Sequence, residues 1–270
     1  MFSNYIATNE DFSAIEEALT YVWKQEIEYI FKDKTRIENT VVVSFDSQNI
    51  FVWERKDGKY VRTEIRHDIK LTDKDQRGWS TNFKIKEIKG LLPARLRDSI
   101  FTFISGSLLQ PFIKIQETKP ILNNPYTTRE SYLSVVVHEF AHSYFNFNQP
   151  SYFNDSQVSI EFMLAALRSM DESLMDDVEI QLLPHKNISE TFAFCAEYSA
   201  CRAFWHQQMV LLDVCHKQAL KEAIENEKTL NLDSEDSYLN DVHNYSVVMG
   251  RLLMKSNPAD WPEILQKKIG

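Results

Sequence analysis

His138 and His142 lie four positions apart, and Glu139 follows the first of them. On an α-helix that spacing puts both imidazoles on one face, one turn apart, where they can ligate a single metal ion. Glu139 is about 100° further round, close enough to serve a water on that ion without being a ligand. The run Val135-Val136-Val137-His138-Glu139-Phe140-Ala141-His142-Ser143-Tyr144 thus reads as H-E-x-x-H, the zinc-hydrolase arrangement of two ligands and a general base. Its flanks carry no charge and no Pro, so the motif fits inside one continuous, largely buried helix. The bland alternative is two hydrogen-bonded core histidines beside an incidental Glu.

A catalytic zinc site needs a third protein ligand and an open position for water. A long helix, capped by Asn187 or Ser189 and running through Trp205 and His206 to about Leu212, offers Glu190 and Glu197. Seven apart, they share a face within about 20°. Phe192, Ala193, Phe194, Cys195, Ala196 and Ala200 make that helix otherwise apolar, and two acids on it call for a cation opposite them. His185 and Glu161 are the remaining candidates.

With these residues in place, the chain resembles a zincin metallopeptidase of the gluzincin branch. There H-E-x-x-H supplies two ligands and a Glu on a later helix the third. Many gluzincins read Asn-Glu-Gly-Phe-Ala-Glu-Phe around that Glu, and Ser189-Glu190-Thr191-Phe192-Ala193-Phe194 lines up with Glu190 at the ligand position. Position 194 is Phe where some families carry an acid supporting a ligand His, and Glu197 is the alternative ligand or a supporting acid. The metzincin pattern fails, because its Gly and third His would fall on Phe145 and Asn148. The resemblance implies Zn2+ bound by His138, His142 and Glu190, with Glu139 as general base and a peptide or protein substrate. It also implies a Tyr or His from a late helix donating to the oxyanion. Tyr245, on a helix predicted over 241–254, is the choice, with His243 second; an ordinary Tyr and a surface His is the bland alternative.

Several elements must position these residues. Thr127, with Glu130 three residues later, forms a capping-box pattern after Asn124-Pro125 and predicts the motif helix over 128–146. An N-terminal helix, capped by Asn9 or Asp11, is predicted over 10–31 from the spacing of Phe12, Ile15, Leu19, Val22, Trp23, Ile27 and Ile30. Thr40 to Phe45, Ile50 to Glu54 and Lys59 to Ile65, separated by turn-rich Asp46 to Asn49 and by Asp57-Gly58, predict a three-stranded antiparallel meander. His67 reads as a solvated loop histidine. Phe83 to Ile88 and Pro111 to Gln116 alternate and read as strands, either of which would serve as the peptide-binding edge of a zincin cleft. Residues 93–109 read as a helix with Pro93 in its first turn. Pro120 to Pro125 is the clear breaker cluster, dividing an α/β lobe (1–125) from a helical zinc-binding lobe (126–270). The expected fold is α+β and zincin-like.

The 270 residues suffice for a sizeable core, and a formal charge of −9 argues against a nucleic-acid-binding surface. Residues 1–10 lack a basic and an apolar signal region, and no apolar run approaches the roughly 18 residues of a membrane span. Met1 reads as a native start. Cys195, Cys201 and Cys215 form no C-x-x-C and read as reduced core thiols of a cytoplasmic protein. His206 and His216 read as structural.

Overall fold

A computed structural model describes residues 4–70, 90–97, 101–103, 108–118, 125–145, 185–215 and 242–267. The fold is α+β: a sheet-containing N-terminal region, then a helical region. The chain divides into two compact units, Met1–Phe147 and Asn148–Gly270.

The first unit opens with α1 (Asn9–Tyr21), a 3-10 turn (Gln25–Ile27) and α2 (Lys34–Asn39). Thr8 caps α1 in a reciprocal capping box with Asp11. The helix predicted over 10–31 therefore ends ten residues early. Lys24 takes an extended conformation, and Trp23 is held elsewhere, its ring stacked 3.3 Å from the Arg55 guanidinium and its Nε1–H donating to Tyr60 Oη at 3.4 Å. Tertiary contacts of one aromatic override the helical periodicity.

Strands β1 (Val41–Phe45), β2 (Asn49–Lys56) and β3 (Lys59–Arg66) form the predicted antiparallel meander. The β2–β3 turn uses Asp57 and Gly58, both at positive φ (50° and 78°), as a two-residue hairpin turn requires. Short helix α3 (Ala94–Arg97) follows, then β4 (Phe101–Phe103), which pairs parallel with β1 to give the order β3-β2-β1-β4. Of the helix predicted over 93–109, Ala94–Arg97 is helical, while Phe101–Phe103 is a strand instead. Leu92 and Leu96 bury themselves with Val41, Val43, Phe45, Ile50 and Val52, while β-prone Phe101-Thr102-Phe103 completes the sheet at β1. On the opposite face Phe12 of α1 meets Phe51 edge-on, ring centroids 4.7 Å apart. Each such fully buried side chain contributes about 1.5–3 kcal/mol.

Helix α4 (Leu109–Thr118) replaces the strand expected at Phe112 to Gln116. Six alternating residues fit both periods. What decides is the helical spacing of buried Leu108, Leu109 and Phe112, with Pro111 in the first turn where its missing N–H costs nothing. A distant carboxylate completes the start: Asp11 Oδ1 accepts from the Gln110 amide at 3.1 Å. That stretch is therefore no peptide-binding edge, and Phe83 to Ile88 lies outside the described residues. His67 is also corrected. It is 9% exposed, its Nε2 lies 3.0 Å from Asp46 O, and its Nδ1 accepts from the Ile69 amide. It is a buried structural histidine.

Helix α5 (Arg129–Phe145) carries the motif and packs on α1, α4 and β4. Its cap is one residue later than predicted. Thr128 Oγ1 accepts from the Ser131 amide, and Ser131 Oγ accepts from the Thr128 amide. Ser131 takes the reciprocal role expected of Glu130 at the Thr127 register.

The second unit contains α6 (His185–Phe204), a further helical run over 206–215, α7 (Val242–Ser256) and α8 (Trp261–Lys267). The long helix predicted to Leu212 is interrupted at Trp205. Helices α7 and α8 both pack on α6, Trp261 meeting Phe192 at 5.3 Å. Glu161 and His216 lie outside the described residues.

Candidate metal centre

From Ser131 to Phe145 the half-buried positions are Val135, His138, Glu139 and His142; the rest of that span is buried. They follow i, i+3, i+4, i+7, a single stripe along α5. The motif residues thus occupy the one open face of an otherwise submerged helix. The His138 and His142 rings are 4.9 Å apart, centroid to centroid.

The buried faces of α5 fix that stripe in place. Tyr132 meets Phe112 edge-on at 5.4 Å, and Phe140 and Tyr144 meet Phe31 at 5.9 and 5.1 Å. Two residues beyond His142, the Tyr144 hydroxyl accepts from the Asp33 amide at 2.9 Å. Burial pushes the Tyr132 phenol well above its usual range, so it stays neutral beneath the helix.

On α6, Glu190 sits in the first two turns and is half-buried, whereas Glu197 is 2% exposed. Next to Glu197, Tyr198 donates to Asp213 Oδ1 at 2.9 Å, and Arg251 pairs with the same oxygen at 2.7 Å. Burial, then the Asp213 hydrogen bond, raise the Tyr198 phenol. The Cys195 thiol, also raised by burial, donates weakly to Gly250 O at 3.6 Å. It is a packed core thiol, as is buried Cys201; Cys215 is only partly buried, and none of the three is in a disulfide.

One ligand atom from each of His138, His142 and Glu190 lies within 4.8 Å of the other two, and this is the one such group among the described residues. It could hold a metal ion. Two imidazole nitrogens and one carboxylate oxygen are a donor set that suits a borderline divalent cation and leaves a coordination position open. Glu197 is not in the group, which contains no residue that the sequence had left unmarked, and the side chain of His185 lies outside the described part. Tyr245 and His243 lie on α7, but their side chains are outside the described part. No described helix is long and apolar enough to cross a membrane. The chain matches no family model, no curated protein and no solved structure.

Proposed function

We propose that the protein is a zinc-dependent peptidase on a zincin-like scaffold, with His138, His142 and Glu190 as metal ligands and Glu139 as general base. The observation that carries this reading is the three-residue ligand group, two of whose members are the histidines of an H-E-x-x-H helix. Zinc in such a site supplies Lewis acidity and lowers the pKa of water towards ~7. Glu139 takes the proton of the attacking water and returns it to the departing amine nitrogen. Its place on the half-buried stripe with both histidines supports that role.

Tyr245 is the proposed hydrogen-bond donor to the oxyanion. Support comes from the register of α6 and α7. Cys195 contacts Gly250 and Ser199 contacts Met254, each pair 55 residues apart in sequence. A constant offset means that the helices run parallel, which puts Tyr245 level with Glu190 along their axes. A peptide or protein is the proposed substrate, in a cytoplasmic setting that the acidic charge suits.

Elemental analysis tests this on chain purified without chelators or a His-tag. Wild type should carry roughly one zinc per chain, kept in Glu139→Gln and Glu197→Ala and lost in Glu190→Ala. Glu139→Gln should also lose at least ~100-fold in turnover on a peptide library. Zinc lost in Glu197→Ala instead would reassign the third ligand. Zinc without turnover in wild type would favour a zinc-binding interaction or sensor module. No zinc after reconstitution would overturn both readings.

A further inference from the structure

The parallel register of α6 and α7 has a second consequence, independent of any metal. One turn before Cys195 and Gly250, the same offset of 55 pairs Thr191 with Ser246. Both side chains are fully buried, at 0% exposure. Neither Thr191 Oγ1 nor Ser246 Oγ has a hydrogen-bond partner among the described residues. A helical Ser or Thr ordinarily donates to a carbonyl one turn back, as Ser134 does to Ser131 O at 2.9 Å. Two adjacent buried hydroxyls that do neither are costly, about 1–3 kcal/mol each if left unsatisfied.

The neighbouring contacts explain why the hydroxyls do not meet each other. The two helices approach closely at Gly250, where an added Cβ would lie 2.5 Å from Phe194 Cδ1 and 3.0 Å from Cys195 Sγ. Helices that cross at such a point diverge away from it, which fits two hydroxyls one turn along that do not bond each other. Two buried hydroxyls at the same level of neighbouring helices supply the polarity that holds a buried water and that apolar cavities lack.

We propose that Thr191 and Ser246 bind one internal water that bridges α6 to α7. It accepts from one hydroxyl and donates to the other, so that each buried oxygen gains a partner. The bridge lies one residue beyond Glu190 and Tyr245 and fixes the register of the segments that carry them.

A double-mutant cycle tests the proposal by its sign. Thr191→Val and Ser246→Ala each remove one hydroxyl with little change of shape. With a bridging water, each single variant melts at a lower temperature than wild type. The double variant then recovers part of the loss, because the second substitution removes the hydroxyl that the first left stranded. With no water, each single variant melts at the same temperature or higher and the effects add, which would overturn the proposal. A high-resolution crystal structure gives the second reading. Density for one water within hydrogen-bond distance of both oxygens supports the bridge, and its absence refutes it. Because neither readout involves zinc, failure here leaves the peptidase reading standing, and the reverse also holds.

Discussion

In the first unit, buried polar groups meet partners that the fold itself supplies. Asp11, fully buried, accepts from Tyr5 Oη, the Thr8 amide and hydroxyl, and the Gln110 amide. Asp46 accepts from the amides of Ala7, Gln48 and Asn49, and its carbonyl meets His67. Glu54 receives both arms of Arg95. Ser44 Oγ and Arg55 Nε are the exceptions among the described residues. The second unit is different, burying Thr191 and Ser246 with no partner for either hydroxyl among the described residues. The contrast separates two uses of buried polarity. In the first unit the interior carboxylates are spent on architecture, and the residues able to do chemistry sit on the half-buried stripe of α5. In the second, polarity enters the helix–helix interface itself.

The largest effect that would sharpen this contrast is loss of the Asp11 hub. Asp11→Ala strands three kinds of donor at once: a phenol, a hydroxyl and two amides from separate segments. A cost of about 3–5 kcal/mol is expected in urea unfolding, since each stranded buried donor forfeits about 1–3 kcal/mol and neighbouring losses are not additive. A loss below about 1 kcal/mol would mean that these bonds are not what organises the first unit. Next is Gly250→Ala in the second unit. The new methyl would stand 2.5 Å from a ring carbon of Phe194, itself 3% exposed and unable to swing away. Overpacking of this kind costs about 1–3 kcal/mol, read by the same unfolding experiment. An unchanged midpoint would show that α7 can shift, and the register argument for Thr191 and Ser246 would lose its basis.

Much of this was legible in the sequence where one signal dominated. The α5 helix was readable because a capping pattern, an uninterrupted apolar run and the absence of Pro all agreed. The hairpin was readable because Asp57-Gly58 suits two consecutive positive-φ positions. The His138, His142, Glu190 group was readable because two histidines four apart share a helix face and an acid stood out on an apolar helix. Elements decided by distant partners were not readable. Trp23 leaves the helical path for Arg55 and Tyr60, the Gln110 amide at the start of α4 donates to Asp11, and His67 is buried by the turn at Asp46. The parallel pairing of β4 with β1 joins segments about 60 residues apart, a register that local pattern does not encode. The Thr191–Ser246 pair was hidden for the same reason, since each reads as an ordinary helix residue until the offset of α6 and α7 is known.

The smallest expected effect tests whether the first unit's satisfied polarity also confers a pH dependence. Hydrogen bonds from Arg95, with its charge, hold the Glu54 carboxyl below the ordinary carboxylate range, against the opposing pull of burial. The unfolded chain therefore takes up a proton at a higher pH than the folded one. Stability from the pair is present above the ordinary Glu value of about 4.3 and is lost as pH falls through it and below. Arg95 is 55% exposed, so solvent screens the pair and the contribution is modest. Arg95→Met should melt slightly below wild type at neutral pH, and the gap should close between about pH 5 and pH 3. Added salt should narrow it as well. A gap that stays constant across that range and in salt would assign the Arg95 contribution to packing of its aliphatic stem, leaving Glu54 to the nearby Lys56 ammonium 3.7 Å away.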